Sequence, residues 1–304
     1  MNTHFKKHIV VKLMGIAIAV LIITLSACEK VVHINLGGTP PQVVVEGAVE
    51  TNIPPYVILT STIGFFSTVD LATLEGSFIH GANVQVNDGS KTVTLKEYAI
   101  DTANGAKFYV YSVDTTLPTA LMTGQVGKSY TLTITYNGTT YSSVTKIPNP
   151  KGVDSLWFAK PLADHFPDSA LQLFVNYTDP DTPGNYVRYF TRRNSQQFYP
   201  SGIFSDEAVN GKTINNLQLV AGYDDSLNVN GDSLRYFYPG DTMTLKWCEI
   251  DRGVYNFWNS YIFANNAIGN PFASPINLQT NMTNGAIGVW AGYGSIQYTR
   301  AILH

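Results

Sequence analysis

The sequence predicts a mostly β protein, with an N-terminal immunoglobulin-like or transthyretin-like β-sandwich followed by a second β-rich domain that carries one short-to-medium helix. Three observations lead to this fold class. Short runs of alternating apolar and polar residues recur along the chain, and turn residues separate them at regular spacing. Only one segment has an apolar pattern of helical period. The composition is typical of a secreted β protein, because 12% of the residues are aromatic and only 13% are charged.

The N-terminus forms a separate segment that does not belong to this fold. Residues 1–12 carry three lysines and no acidic residue, and residues 13–25 are almost purely apolar. Such a run is shorter than the roughly 20 residues that a membrane-spanning helix needs. It ends in small residues directly before Cys28, as lipoprotein signal peptidase requires. We therefore predict a signal peptide over residues 1–27 and a lipid on Cys28, the first residue of the mature chain.

A short tether and a β-sandwich domain are predicted to follow the lipid. The tether covers residues 28–41, and thirteen extended residues reach about 45 Å at most. The sandwich covers residues 42–147, and its clearest hairpins have turns at Asp88-Gly89 and Asn137-Gly138. Its predicted strands are 43–47, 56–62, 81–89, 91–95, 108–113, 129–136 and 139–145.

A linker is predicted over residues 147–152, where two prolines and a glycine cannot sustain strand pairing. The second β-rich domain then covers residues 153–304. No period is sustained between residues 194 and 216, so this segment is predicted to be a long excursion, which in a compact domain is usually functional or disordered. The predicted strands of this domain are 170–178, 186–191, 241–249, 286–291 and 296–303.

One helix is predicted over residues 254–267. Residues at helical spacing form a mostly aromatic stripe on one of its faces: Tyr255, Trp258, Tyr261, Ile262 and Asn265. We expect the stripe to pack in the core against the sheet, since most such stripes are buried. The alternative is a surface on which a ligand stacks. Tyrosines near turns are further candidates for binding contacts: Tyr56, Tyr199, Tyr223 and Tyr293.

Weak resemblances to phosphate and metal sites have simpler explanations. Gly127-Lys128-Ser129 ends like a phosphate loop, but Met122 stands where the first glycine is required. Residues 226–231 with the neighbouring acids, and separately Asp179 with Asp181, offer oxygen ligands for calcium. Solvated turns explain both groups better, because these residues are common turn formers. We predict no metal and no cofactor.

The sequence also lacks a recognisable catalytic constellation. The mature chain has four scattered histidines and no zinc-ligand spacing. Cys248 lies in a strand-like run, which predicts a buried and inert thiol. Paired carboxylates of the kind used in glycoside hydrolysis cannot be assigned from sequence, since the two acids need not be close along the chain. We therefore predict that the protein is not an enzyme.

Charge argues against nucleic acid as a partner. The whole chain has 19 basic and 22 acidic residues, and removal of the leader with its three lysines leaves 16 against 22. A mature net charge of −6 does not favour phosphate backbones. It also offers no electrostatic attraction to an anionic membrane, so the predicted contact with the membrane is the lipid alone.

Several segments, in their order along the chain, resemble a family of Bacteroidota outer-membrane lipoproteins that is catalogued as a domain of unknown function. The most specific segment covers residues 270–288. The other matching pieces are Cys28, residues 44–47, 81–84 and 127–132, Tyr141, and residues 147–148 and 154–156. Members of that family are often encoded beside TonB-dependent outer-membrane transporters, so the resemblance implies an accessory role in uptake at the cell surface. It brings no catalytic residue with it.

Together, these observations predict a lipid-anchored outer-membrane protein, with the cell surface favoured over the periplasmic face. We expect it to bind a TonB-dependent transporter or a ligand, either a small molecule, a glycan or a peptide. One alternative is a structural, adhesion or envelope-assembly module. Another is a secreted hydrolase, because unrelated functions share β folds.

Overall fold

The computed structural model of the protein describes residues 40–64, 68–102, 105–161, 167–223, 233–268, 270, 274 and 276–303. The predicted signal peptide, Cys28 and nearly all of the predicted tether lie outside these ranges. Residues 41–304 form one compact unit. None of the helices in the described ranges is both long enough and apolar enough to cross a membrane.

The described chain is built mainly of β-strands, as predicted. The strands are β1 (Val43–Glu50), β2 (Tyr56–Ser61), β3 (Asn83–Asn87), β4 (Thr92–Thr94), β5 (Lys96–Asp101), β6 (Lys107–Ser112), β7 (Ser129–Tyr136), β8 (Thr139–Lys146), β9 (Ser155–Ala159), β10 (Gln172–Thr178), β11 (Tyr186–Arg193), β12 (Tyr199–Ser205), β13 (Thr213–Leu219), β14 (Thr242–Ile250) and β15 (Ile287–Ala301). The α-helices are α1 (Leu71–Gly76) and α2 (Arg252–Asn266), and short 3-10 helices cover Pro118–Ala120 and Ser233–Arg235.

An eight-stranded sheet in the order β12-β11-β14-β15-β1-β2-β6-β5 forms the middle layer. Strands alternate their side chains between the two faces of a sheet, and other elements pack on both faces of this one. Two smaller sheets, β4-β3-β7-β8 and β13-β10-β9, pack side by side on one face and enclose separate apolar cores. Helix α2 packs on the other face, over a third core that includes Cys248, Val289 and Ala291.

The predicted boundary at residues 147–153 does not divide the protein into two separate units. Strands from both predicted domains share the eight-stranded sheet, where β1 pairs in parallel with β15 and β15 pairs antiparallel with β14. The predicted linker is packed against β15, since a Cβ atom at Gly292 or Gly294 would lie 2.3 Å or 2.2 Å from a backbone oxygen of residues 146–148. The prediction of two separate domains is wrong because β15, the last strand, returns to pair with the first.

Gly288 allows the close pairing of β1 with β15. Its φ of 127° lies in a region that L side chains rarely adopt. A Cβ atom at this position would also lie 1.9 Å from the carbonyl oxygen of Val45. Glycine is therefore needed here both for the backbone conformation and for the space between the two strands.

Turn chemistry predicted the local structure correctly in two hairpins. Strands β7 and β8 are joined by Asn137 and Gly138, which both have positive φ, as a tight hairpin turn requires. Strands β3 and β4 pair across the Asp88-Gly89 turn, where the Asp88 carboxylate accepts hydrogen bonds from the backbone N–H groups of Ser90 and Lys91 at 2.9 Å.

The prediction was wrong for the excursion over residues 194–216. This segment contains all of β12 and the first part of β13, each paired with a strand of the predicted second domain. Asn194 and Asn216 adopt positive φ, and Pro200 and Gly202 interrupt the alternation of β12. These features hide the strand period in the sequence. The closing region likewise forms one strand, β15, rather than the two that were predicted.

Candidate functional site

Helix α2 lies where predicted, but it is turned about its own axis, so that a different face than predicted lies against the core. Its N-cap Asp251 accepts a hydrogen bond from the backbone N–H of Val254 at 2.9 Å and another from the Thr145 hydroxyl of β8 at 2.6 Å. The buried residues of the helix are Val254, Phe257 and Ser260.

The aromatic stripe of α2 is therefore not the core-facing side, and the prediction that it packs in the core is wrong. Tyr261 and Ile262 are 45% and 39% exposed. Tyr255 and Trp258 are half-buried at the edge of the third core, and Asn265 is exposed. The alternative that the sequence left open, a surface facing a ligand, agrees better with this position.

The stripe borders a cleft between α2, β12 and the exposed part of the eight-stranded sheet, which we call the α2 cleft. It consists of two adjoining cavities of about 600 Å³ and about 260 Å³. Four residues line both cavities: Glu46, Arg188, Pro200 and Trp258. The larger cavity is also lined by Ser201, Gly202, Arg235, Tyr261, Ile262, Asn265 and Asn266, and the smaller by Gly47, Ala48, Glu50, Tyr56, Phe190, Phe198, Lys246 and Tyr293.

Arg188, on β11, lies between the two cavities. Its side chain is held from both sides, because its guanidinium lies over the ring of Trp258, 3.5 Å from the centroid, and 4.8 Å from that of Phe190. One guanidinium N–H donates a 2.8 Å hydrogen bond to the hydroxyl of Tyr293. Arg188 is only 8% exposed, yet no carboxylate of the described chain lies within 4.0 Å of it. It is a buried cation without an ion-pair partner in the part of the protein that the structure describes.

Lys246, on β14, is the second cation of the smaller cavity, and it is paired. Its ammonium lies 2.9 Å from a carboxylate oxygen of Glu50, and both side chains are largely buried. The ammonium also lies over the rings of Phe190 and Phe198, at 4.7 Å and 4.9 Å from their centroids. The other carboxylate oxygen of Glu50 is buried and has no hydrogen-bond partner among the described residues.

Glu46, on β1, is the acidic residue that remains accessible in the cleft. The surrounding protein removes much of the water from its carboxyl and so raises its pKa, and the positive charge of Arg188 opposes this effect only in part. Burial also raises the pKa of the two phenols of the smaller cavity, those of Tyr56 and Tyr293. Both phenols are therefore neutral at physiological pH and act there as hydrogen-bonding groups.

A third cavity of about 550 Å³ adjoins the cleft at Glu46, on the same face of the sheet. It lies between β2 and α1, and apolar side chains form most of its lining: Val44, Ile58, Leu71, Leu74, Phe78 and Phe108. Glu46 thus stands where an apolar groove meets a cleft that carries charges.

Asp179 is one of the two acids considered for calcium. It belongs instead to a group of buried carboxylates on the face of the eight-stranded sheet opposite to the α2 cleft. It accepts a hydrogen bond from the backbone N–H of Gly211 at 3.1 Å. Asp206 accepts from the backbone N–H groups of Gly184 and Asn185 at 2.7 Å and 2.9 Å. These are backbone-capping contacts. Across the described residues, no three metal-ligating side chains come close enough together to hold an ion.

Glu249 is the third buried carboxylate, and it accepts a 3.2 Å hydrogen bond from the hydroxyl of Tyr177. Burial raises the pKa of Glu249 to about 7. The nearby charges of Asp179 and Asp206 act in the same direction. The carboxyl is therefore partly protonated near neutral pH.

The other residues singled out by the sequence lie apart from the α2 cleft or outside the described ranges. Cys28 and residues 226–231 are among those outside. Cys248 is a buried free thiol, as predicted, and its burial raises its pKa. His80 contacts the carboxylate of Glu97 at the surface. Of the tyrosines near turns, Tyr56 and Tyr293 line the cleft.

Sequence reasoning missed the charged residues of the cleft, which are Glu46, Glu50, Arg188, Arg235 and Lys246. A signal does exist for the four that lie on strands, Glu46, Glu50, Arg188 and Lys246, because each directly follows an apolar residue in its strand. Such a residue has to face a cavity, a counter-ion or solvent. The strand pattern therefore could have indicated a polar site, although it could not bring residues of β1, β11 and β14 together.

The fold and the cleft define a class of protein: a three-layer β protein with a partly charged, aromatic-lined cleft of ligand size on its central sheet. The chain belongs to the family described as domain of unknown function DUF4249, whose model matches residues 29–299. No curated protein matches the chain.

Proposed function

We propose that this protein is a lipid-anchored accessory protein of the bacterial outer membrane that binds a ligand in the α2 cleft during nutrient uptake. The observation that carries this proposal is the cleft itself, where side chains from six strands and helix α2 surround a single concave space. Ligand sites in proteins are typically concave and largely apolar, with a few polar groups that fix the orientation of the ligand. The α2 cleft is concave and combines aromatic walls with charged and hydrogen-bonding groups.

The cleft supports binding better than catalysis. Its four charged residues from the sheet comprise one ion pair, one buried cation and one accessible acid. The two phenols remain neutral, and neither is hydrogen-bonded to a base among the described residues that could activate it as a nucleophile. In a binding role, the ion pair, the buried cation, the accessible acid and the aromatic walls can all contact the ligand. A catalytic role would not require the ion pair or the aromatic walls.

The place of action is inferred from the N-terminal sequence and from the resemblance stated above. A lipid on Cys28 and a tether that reaches about 45 Å at most would hold the domain close to the membrane. A partner in the same membrane is then within reach, and the resemblance implies a TonB-dependent transporter. Surface display is the favoured orientation, because uptake of a scarce ligand begins outside the cell.

Crosslinking in whole cells followed by purification from detergent-solubilised membranes tests the proposed partnership. The wild-type protein should recover a TonB-dependent transporter. The Cys28→Ser variant, which lacks the lipid site, should leave the membrane fraction and lose the transporter. Recovery of no outer-membrane transporter from wild-type cells would contradict the proposal. Protease treatment of intact cells reports the leaflet, since only a surface-exposed protein is digested.

The exposed apolar end of α2 favours a second candidate, an envelope-assembly or adhesion module. Phe263 and Ile268 are 59% and 78% exposed. Phe263 directly follows the exposed Tyr261 and Ile262, and Ile268 lies just past the end of the helix. Apolar residues grouped at a surface often mark a protein contact. In that case deletion of the gene would alter cell attachment or envelope integrity and leave uptake normal.

A further inference from the structure

We propose that Arg188 is the anion-binding residue of the α2 cleft, and that the ligand presents to it a single carboxylate attached to an apolar or aromatic group. This inference rests on the proposed ligand-binding function and specifies its chemistry. It arises from the contrast between the two buried cations of the cleft, Arg188 and Lys246.

The pairing of Lys246 shows how this cleft satisfies a buried cation. Its ammonium has a carboxylate at 2.9 Å, that of Glu50. A buried charge is costly unless it is paired, because it has lost its water. Arg188 is buried to a similar extent, and its one hydrogen bond within the described chain is to a neutral phenol, that of Tyr293. The missing counter-charge is therefore expected from a ligand.

The surroundings of Arg188 leave it prepared to receive an anion. A guanidinium has five N–H donors in one plane, and stacking on an aromatic ring does not consume them. One of these donors reaches Tyr293, while the contact with Trp258 fixes the position of the group. Because Arg188 lines both cavities of the cleft, its remaining donors are available to a ligand in either cavity. Two donors of one guanidinium match the two oxygens of a carboxylate.

The acids of the cleft argue for a ligand with one negative charge. Glu46 and Glu50 line the same small cavity as Arg188. Lys246 neutralises Glu50, so Glu46 is the acid whose charge a ligand meets. A doubly charged phosphate would be repelled by Glu46 more strongly than a carboxylate, which places one charge directly on the guanidinium. Glu46 is the acid without an ion pair among the described residues, and the loss of water around its carboxyl raises its pKa.

The remaining lining defines the other part of the ligand. Phe190, Phe198, Pro200 and Trp258 surround the smaller cavity with apolar surface. Apolar and aromatic walls favour a ligand that carries a hydrocarbon or a ring beside its charged group. Two sources supply this chemistry: a free organic acid, or the C-terminus of a peptide that ends in an apolar residue.

Binding of matched probes to the purified mature domain tests the inference. Phenylacetate and phenylacetamide have almost the same shape and differ in charge. The tripeptide Gly-Gly-Phe and its C-terminal amide form the equivalent peptide pair. In calorimetric titrations at constant salt, we expect each acid that binds to do so about tenfold or more tighter than its amide. Tighter binding of phenylacetate would identify a free organic acid as the ligand, and tighter binding of Gly-Gly-Phe would identify a peptide C-terminus.

Three variants locate the site. Arg188→Gln should weaken binding of the acids to the level of the amides, and Arg188→Lys should be intermediate because it keeps the charge and loses the paired donors. Glu46→Gln, which leaves Arg188 in place, should strengthen binding of the acids. Arg300→Gln is the matched control, since Arg300 is exposed on β15, does not line the cleft and carries the same charge.

Equal affinity for acids and amides, or binding of neither pair, would overturn the inference. Acid binding that Arg188→Gln and Glu46→Gln both leave unchanged would do the same. If Arg188→Gln fails to fold, the Glu46→Gln result and the comparison of acid with amide still decide. These outcomes are separate from the proposed function, because a transporter recovered by crosslinking would remain even if no carboxylate bound.

Discussion

The guanidinium of Arg188 lies over the ring of Trp258, with 3.5 Å between its central carbon and the ring centroid. The two residues come from β11 and α2, seventy positions apart in the chain. Their contact links the helix to the sheet at the rim of the α2 cleft. Val254 and Phe257 occupy the side of the helix that faces the core, so the aromatic stripe of α2 faces the cleft.

Loss of the indole ring should weaken this link between helix and sheet. We expect Trp258→Leu, which keeps an apolar side chain, to lower the free energy of unfolding by about 1–2 kcal/mol, as both packing and the cation–π contact are lost. Urea denaturation measures the change. Tyr261→Leu, in the exposed part of the same stripe, should change stability by less than about 0.5 kcal/mol. Equal losses for both variants would contradict this account.

The ion pair between Glu50 and Lys246 should behave as a buried pair. Removing one partner leaves an uncompensated charge, so we expect Lys246→Met to cost about 3 kcal/mol of stability. The double variant Glu50→Gln with Lys246→Met should cost less than the two single variants together. Lys96→Met is the control, because Lys96 pairs with Asp114 at 3.4 Å with half of its side chain exposed. That change should lie within about 0.5 kcal/mol, and a comparable loss would argue against a special role for burial.

Glu249 should make the stability of the protein depend on pH between about 4.5 and about 7. Burial raises its pKa from 4.5 to about 7, so the folded protein binds this proton more tightly than the unfolded chain does. The contribution is fully present below pH 4.5 and is lost as pH rises through about 7, with a total of about 3 kcal/mol. Glu249→Gln keeps an acceptor for the Tyr177 hydroxyl but cannot ionise.

Denaturation curves from pH 4.5 to pH 8 measure this effect as the difference between wild type and variant. Taking the difference removes the contributions of acids that do not interact with Glu249. The titration of Asp179 is coupled to that of Glu249, so its change is part of the measured difference. The variant should be about as stable as wild type at the acid end of the range and more stable at pH 8. Parallel curves would show that Glu249 does not carry the dependence.

Gly288 should not tolerate a side chain. In Gly288→Ala the new Cβ would collide with the backbone of Val45 at a strained φ, so we expect a loss on the order of 3 kcal/mol. Gly76→Ala is the matched control, because no atom lies within 4 Å of the corresponding Cβ position and the residue ends a helix. Thermal unfolding of the two variants checks the prediction, which fails if both shift the midpoint equally.

Local signals in the sequence predicted much of the fold. Asn137-Gly138 and Asp88-Gly89 located hairpins, and the apolar period near Trp258 located α2 within two residues of its bounds at Arg252 and Asn266. These features depend on neighbours along the chain. The pairing of β1 with β15 depends on residues more than 240 positions apart, and no local pattern specifies it.

The candidate site was predictable only in part, and for the same reason. The stripe of α2 was recognised, but its rotation is decided by the Asp251 cap on β8 and by the packing of Phe257, which are tertiary contacts. Arg188 and Glu46 come together because β11 and β1 belong to one sheet, three strands apart. The positions of Arg188 and Glu46 along the sequence therefore do not indicate that the two residues lie close together.

The position of β15 between β1 and β14 also determines when this protein can finish folding. During synthesis, β1 and β2 emerge long before the strand that must lie beside them, and their open edge can pair with other chains in the meantime. Sequence-distant pairings of this kind slow folding, because a long loop must close before the contact forms. We therefore expect the chain to depend on chaperones from the synthesis of β1 until β15 is available to pair with it. We also expect truncation before residue 287 to yield aggregates rather than a smaller folded domain.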